Sequence, residues 1–339
     1  MATKTTMRGA TVVEYNKPLV IRDDLPILKP GANQILVKNS CCSLCMSDIS
    51  GIQGHVGGAL PYCPGHEPVG TVAELGEGVR GFAVGDRVGF MPASNTCLDC
   101  SECLSGQHRF CSGKTAVGFN GMQGGFTEYC VADPLSTVKI PDGLPDESAA
   151  PLLCAGVTAY GALKKVSQFQ TGGTLLNIVG SGGVGHLAIM YAKAMGYRVH
   201  AFDIANDKLQ LAKDSGAEEV FNSMTGDAAT FEKTLCTVVV SGAAPAYDLA
   251  FKITAKHGKV IAIGAPNGPV AVNILNMILN DLSLIATNQG TKDDLSKSLT
   301  LAASAGIKPV YQLRDISQIN EGVEDMMKGK VNGRLVYKF

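Results

Sequence analysis

The sequence predicts an α/β protein made of a β-rich part and a doubly wound parallel sheet. Three observations carry this reading. From about Met7 to Ile140 short alternating segments are broken repeatedly by Gly and Pro, the pattern of an all-β region. From Thr174 onward strand-like and helix-like segments alternate, which implies parallel strands joined by right-handed crossovers. A glycine turn, Val179-Gly-Ser-Gly-Gly-Val-Gly185, sits where the first of those strands meets its helix.

Within the β-rich part, Gln34–Lys38, Val69–Ala73 and Arg87–Phe90 read as strands, with turns at Gly76-Glu-Gly78 and Gly85-Asp86. In the second part strand Thr174–Gly180 leads to helix Val184–Ala194, then strand Arg198–Phe202 and helix Asp207–Asp214. Further strands are expected at Glu219–Phe221, Thr237–Val240, Lys259–Gly264 and Leu282–Ala286, and a helix at Lys292–Ala305. The apolar run Met277–Leu284 reads as core or subunit interface.

Composition narrows the classes. At 339 residues the chain favours two domains. Lys+Arg total 29 against 30 Asp+Glu, so no global field points to nucleic acid, a membrane surface or an acidic substrate. With 45% hydrophobic and 17% charged residues there is material for a core and little case for disorder. Met1–Thr11 shows no apolar leader segment. Val166–Ala192 lacks charge, but its six glycines rule out a spanning helix, so no membrane association is expected.

The 11 cysteines are an odd number and are clustered, which points to metal ligands in a reducing compartment, the cytoplasm, rather than to disulfides. Cys41, Cys42, Cys63, Cys130 and Cys236 read as small buried hydrophobes.

Three motifs carry chemistry. Gly180, Gly182 and Gly185, with Gly183 and Val184 between the last two, fit a dinucleotide fingerprint. Glycine lets the backbone approach a pyrophosphate, and the helix N-terminus supplies oriented N–H donors. Asp203 ends the next strand at about the spacing expected of a ribose-binding acid. S-adenosylmethionine is a rival ligand for such a turn. Next, Cys97, Cys100, Cys103 and Cys111 place four thiols in one loop, which suits a closed structural zinc site; an iron–sulfur cluster is the alternative. Finally, Cys45, His66 and Cys154 are two thiols and an imidazole, the donor set of an open catalytic zinc site. Spacing alone does not join these three, and His66 reads equally as a structural histidine. His55 and His108 read as solvated loop residues, and His186 as either a phosphate contact or a helix-surface residue.

The order of Gly65-His-Glu, Gly85-Asp-Arg-Val-Gly89, the four-cysteine loop, Gly124-Gly-Phe-Thr-Glu128, Cys154-Ala-Gly-Val-Thr158, the glycine fingerprint and Gly333-Arg334 resembles the zinc-containing medium-chain alcohol dehydrogenases from end to end. The resemblance implies a GroES-like catalytic domain over 1–155 and 289–339, and a Rossmann NAD-binding domain over 156–288. It implies two zinc ions per chain: a catalytic one on Cys45, His66 and Cys154, with Glu67 beside it, and a structural one on Cys97, Cys100, Cys103 and Cys111. Asp48 would orient His66, and Ser47 would meet the substrate oxygen. Asp203 and Lys208 would contact the adenosine ribose, and Arg334 the pyrophosphate. The expected reaction is reversible oxidation of an alcohol to an aldehyde or ketone with hydride transfer to NAD, in a homo-oligomer (dimer or tetramer). A methyltransferase, or a silent zinc- and nucleotide-binding relative, is the alternative.

Three positions depart from the family pattern. Met46 stands where many members carry His or Arg against the pyrophosphate, and Ser50 where many carry a proton-relaying histidine. Pro92 replaces a bulky aromatic of small-alcohol members, which implies a roomier pocket.

Overall fold

In the computed structural model, residues 5–339 are described except 57, 120 and 267. Met1–Lys4, part of the N-terminal stretch read above, lie outside the described residues. The chain forms two compact units, Met1–Cys154 with Thr291–Ala303 and Val310–Phe339, and Ala155–Gly290 with Ser304–Pro309.

The first unit is built on a seven-stranded sheet. Its order is Thr137–Lys139, Arg87–Phe90, Pro68–Leu75, Ile35–Leu44, Arg334–Lys338 and Tyr311–Asp315, with Tyr129–Ala132 also paired to Ile35–Leu44. All pairs are antiparallel except the last two strands of that order. Ile35–Leu44 lies at the centre and is buried along nearly its whole length, which explains its run of apolar and small residues in place of alternation. Cys41 and Cys42 lie on it, and they are buried, as are Cys63, Cys130 and Cys236. Close approach fixes its pairing to Pro68–Leu75: a Cβ on Gly70 would stand 2.1 Å from the Lys38 carbonyl oxygen. This strand ends at Leu44 and delivers the next residue, Cys45, to the start of the first helix, α1 (Met46–Ile52).

The second unit holds a six-stranded, wholly parallel sheet. Its order is Glu219–Asn222, Arg198–Asp203, Leu175–Val179, Thr234–Val239, Thr254–Ala262 and Ser283–Ala286. From Leu175–Val179 two strands wind outward one way and three the other, a doubly wound arrangement whose switch point lies beside the glycine turn. The penultimate strand starts at Thr254, five residues before its expected start at Lys259, and carries His257 at φ 63° inside it. Of the run Met277–Leu284 only Leu282 is buried. The run forms the end of helix Ile274–Asn280 and the edge strand Ser283–Ala286, and Ile274, Leu275, Ile278 and Leu279 are 61–70% exposed.

Candidate active site

The site begins with a helix cap. Cys45 precedes the first turn of α1, and Asp48, three residues on, accepts the Cys45 backbone N–H through Oδ2 at 2.9 Å. A carboxylate at that position satisfies an orphan donor and faces the positive end of the helix. Oδ1 of the same carboxylate accepts the Gly65 N–H at 3.2 Å and meets Nδ1 of His66 at 2.7 Å. Asp48 is fully buried, so an ionised carboxylate there needs these donors. It therefore fixes the proton on Nδ1 and leaves the Nε2 lone pair of His66 free. Nε2 is buried and has no hydrogen-bond partner among the described residues. Gly65 makes the turn possible, at φ 104° and with its Cβ position only 2.6 Å from the Phe126 backbone nitrogen.

Around that orphaned nitrogen stand Cys45, Glu67 and Cys154, whose ligand atoms and that of His66 lie within 4.8 Å of one another. Cys154 follows the short 3₁₀ turn Ala150–Leu153. A hydrogen bond from Cys154 holds the Cys45 thiol well below its ordinary range, and the same bond pushes Cys154 well above it. Glu67 is fully buried; burial pushes its carboxyl up to about 7 against the pull of Arg334. One nitrogen of Arg334 donates to both Glu67 oxygens at 2.5 and 2.6 Å and to the Ser43 hydroxyl at 3.0 Å. A free imidazole nitrogen and two thiols that close fit a zinc ion.

The four-cysteine loop is a second donor set. Its sulfurs lie within 4.8 Å of one another, with Cys97 3.9 Å from Cys103 and 3.6 Å from Cys111. A Zn–S bond of about 2.3 Å requires tetrahedral edges of about 3.8 Å, so one ion fits where a multi-iron cluster does not.

In the second unit, Gly180 takes φ 99°, and a Cβ on Gly185 would stand 2.0 Å from the Gly180 carbonyl oxygen. The Gly182 Cβ position meets nothing within 4 Å, an open face that suits a diphosphate. Gly183 and Val184 complete the turn, Val184 as N-cap of helix Gly185–Ala194. Asp203 accepts the backbone N–H groups of Ser181 at 2.8 Å, Ile204 at 2.8 Å and Ala205 at 3.1 Å. Lys208 lies 3.0 Å from Asp207. His186 is neither a surface residue nor open to a phosphate: it is fully buried, with Nδ1 3.0 Å from the Gly182 carbonyl oxygen.

The remaining sequence candidates fall as follows. Ser47 is exposed on the first turn of α1, its hydroxyl 3.9 Å from the Cys45 sulfur. Met46 is exposed, Ser50 and Pro92 half-buried. His55 is exposed and His108 half-buried in the 3₁₀ turn His108–Phe110. Three neighbours of the site escape sequence reasoning. Ser43 and Phe119 lie far along the chain from what they touch, Arg334 and the His66 ring, the latter at 4.8 Å between centroids. Tyr62 has no motif around it.

Two family models match the chain, the alcohol dehydrogenase GroES-like domain over residues 31–142 and the zinc-binding dehydrogenase over residues 183–329. An alcohol dehydrogenase of Geobacillus stearothermophilus is 38% identical, with 98% of this chain and 99% of that protein aligned. The chain belongs to the zinc-containing medium-chain alcohol dehydrogenases. An alcohol dehydrogenase of a Moraxella strain is 34% identical over 98% of this chain and 99% of its own length. Among solved structures, that of acetophenone reductase from Geotrichum candidum in complex with NAD has a TM-score of 0.89 at 29% identity, covering 100% of this chain and 99% of that one. That of the alcohol dehydrogenase from the archaeon Aeropyrum pernix has a TM-score of 0.89 at 30% identity, covering 98% and 100%. Membership makes this chain an oxidoreductase acting on alcohols and overturns the methyltransferase alternative.

Two complete and separate donor sets predict two zinc ions per chain, measured by plasma emission on the purified protein. A ratio near one, or iron in place of zinc, contradicts the assignment. Cys100→Ser is expected to destabilise the fold, because metal-binding free energy in the loop is folding free energy. Cys154→Ser is expected to lose one zinc with the fold largely kept.

Proposed function

We propose that the protein reversibly oxidises an alcohol to an aldehyde or ketone with NAD as hydride acceptor. The observation that carries this reading is the orphaned Nε2 of His66, held by Asp48 between Cys45 and Cys154. Those three residues would hold the catalytic zinc, with Glu67 beside them. Zinc there supplies a Lewis acid that lowers the pKa of an alcohol oxygen. Ser47 would meet the substrate hydroxyl and take its proton, since a serine hydroxyl both accepts and donates without becoming an ion. Ser50 cannot titrate near neutral pH, so the proton leaves through water rather than through a histidine. Cys97, Cys100, Cys103 and Cys111 would hold the structural zinc.

Gly180, Gly182, Gly183, Val184 and Gly185 would cradle the cofactor diphosphate. Asp203 would accept the ribose hydroxyls, with Lys208 nearby. A 2′-phosphate would meet the Asp203 carboxylate, and neither Ile204 nor Ala205 offers a cation to offset it, which favours NAD over NADP. Arg334 would serve the pyrophosphate from its place beside Glu67. The domains proposed are catalytic, 1–155 with 289–339, and nucleotide-binding, 156–288. No helix among the described residues is long and apolar enough to cross a membrane. With eleven cysteines, all free, we assign the chain to the cytoplasm.

Growth of the NADH absorbance band tests this reading, with NAD and NADP compared and Ser47→Ala assayed beside the wild type. NAD is expected to give the higher kcat/KM, and Ser47→Ala to lower turnover by about 10²–10⁴ with zinc retained. Higher efficiency with NADP overturns the role of Asp203. Full activity of zinc-replete Ser47→Ala makes Ser47 a packing residue.

We further propose a homo-oligomer. The four exposed apolar residues of helix Ile274–Asn280 adjoin Ser283–Ala286, an edge strand with unpaired backbone groups, and a second copy of this chain would cover both. Sedimentation of the double variant Leu275→Glu, Ile278→Glu is expected to give a smaller species than wild type. A monomeric wild type, or an unchanged variant, contradicts the assignment.

A further inference from the structure

In the first unit a cavity of about 770 Å³ lies between the four-cysteine loop and the start of helix Lys292–Ala305. That volume falls in the range of about 300–1,000 Å³ typical of small-molecule sites. His108 of the loop lines one side, Lys292 another, and Phe82 and Leu135 supply apolar wall. The cavity is open where glycine stands at two lining positions: a Cβ on Gly81 or on Gly106 would meet nothing within 4 Å. No lining residue belongs to either proposed zinc site or to the glycine turn.

Lys292 carries a charge that the fold leaves unmatched. The residue is half-buried; its ammonium donates to the Pro134 carbonyl oxygen at 2.7 Å and lies 5.7 Å from the centroid of the Phe82 ring. Neither neighbour is an anion, and no carboxylate among the described residues forms an ion pair with it. The acidic groups around it are committed elsewhere. Asp133 accepts the N–H groups of Leu135 and Asn95 on its two oxygens, at 2.8 and 3.0 Å. Asp293 pairs with Lys297 at 2.7 Å, and Asp86 with Lys139 at 2.8 Å. Asp294 accepts both the N–H and the hydroxyl of Thr291 at 2.9 Å. Burial holds the Lys292 ammonium below its ordinary range, against the pull of Asp133. An ammonium has three donors, and one that is partly desolvated without a counter-ion gains from any anion able to reach it.

We propose that this cavity binds a monocarboxylate with an apolar body, its carboxylate on Lys292 and its body against Phe82 and Leu135. Leu135 is 37% exposed and Phe82 half-buried, so both offer apolar surface for a ligand to cover. One unmatched cation suits one negative charge. A phosphate dianion fits less well, because Asp293 also lines the cavity and the other lining lysine, Lys139, is already neutralised by Asp86.

Equilibrium dialysis of 4-fluorobenzoate, read by fluorine NMR, tests the site in wild type, Lys292→Met and Leu135→Asp. Each change is also made in Cys154→Ser, where acid held by the catalytic metal is not counted. Both variants are expected to weaken binding by about tenfold or more, and Cys154→Ser alone to keep it. Acetate, which lacks the apolar body, is expected to bind wild type about tenfold more weakly. Undiminished binding by either variant, loss of all binding in Cys154→Ser, or acetate binding as tightly as 4-fluorobenzoate overturns the inference. So does a wild type that binds no 4-fluorobenzoate at about 10 mM.

Discussion

One buried carboxylate ties the proposed catalytic site together. Asp48 caps α1 at Cys45, holds the Gly65 N–H and orients His66, so it joins the end of the central strand, the helix and the Gly65–Glu67 loop. Each bond draws in a residue that carries or adjoins a ligand. Because Asp48 is fully excluded from water, losing any of its donors leaves a charge that burial penalises. The candidate ligands therefore stand in place as a consequence of how the fold satisfies a carboxylate.

A second electrostatic balance stands behind the first. Glu67 and Arg334 are both buried and pair through both carboxylate oxygens, with the Ser43 hydroxyl steadying the guanidinium. Once both thiols are deprotonated as metal ligands, they would add negative charge to that of Asp48 and Glu67 in a small volume. Arg334 and a divalent ion are the positive counterparts that make such a cluster tenable.

Much of this is legible in the sequence because it rests on local rules. The strand–turn–helix around Gly180–Gly185 follows from strand periodicity and glycine spacing, and the four-cysteine loop is complete within fifteen residues. The proposed catalytic trio is not local. Cys45, His66 and Cys154 meet only after the sheet forms, so their grouping came from the resemblance and not from spacing. The buried ring of His186 was missed because an imidazole in a first helical turn gives no sign that it bonds the Gly182 carbonyl. The apolar run at 277–284 signals burial, but it falls on an exposed helix end and an edge strand, and only Leu282 of it is buried within the chain.

Asp48 is proposed to build the catalytic metal site through His66. Asp48→Asn preserves shape but removes the charge that fixes the imidazole. Zinc release from wild type and Asp48→Asn to a chromophoric chelator measures the effect directly. One of two zinc ions is expected to be held about 10–100-fold more weakly in the variant, with the other unchanged. Equal retention of both ions in variant and wild type would contradict it.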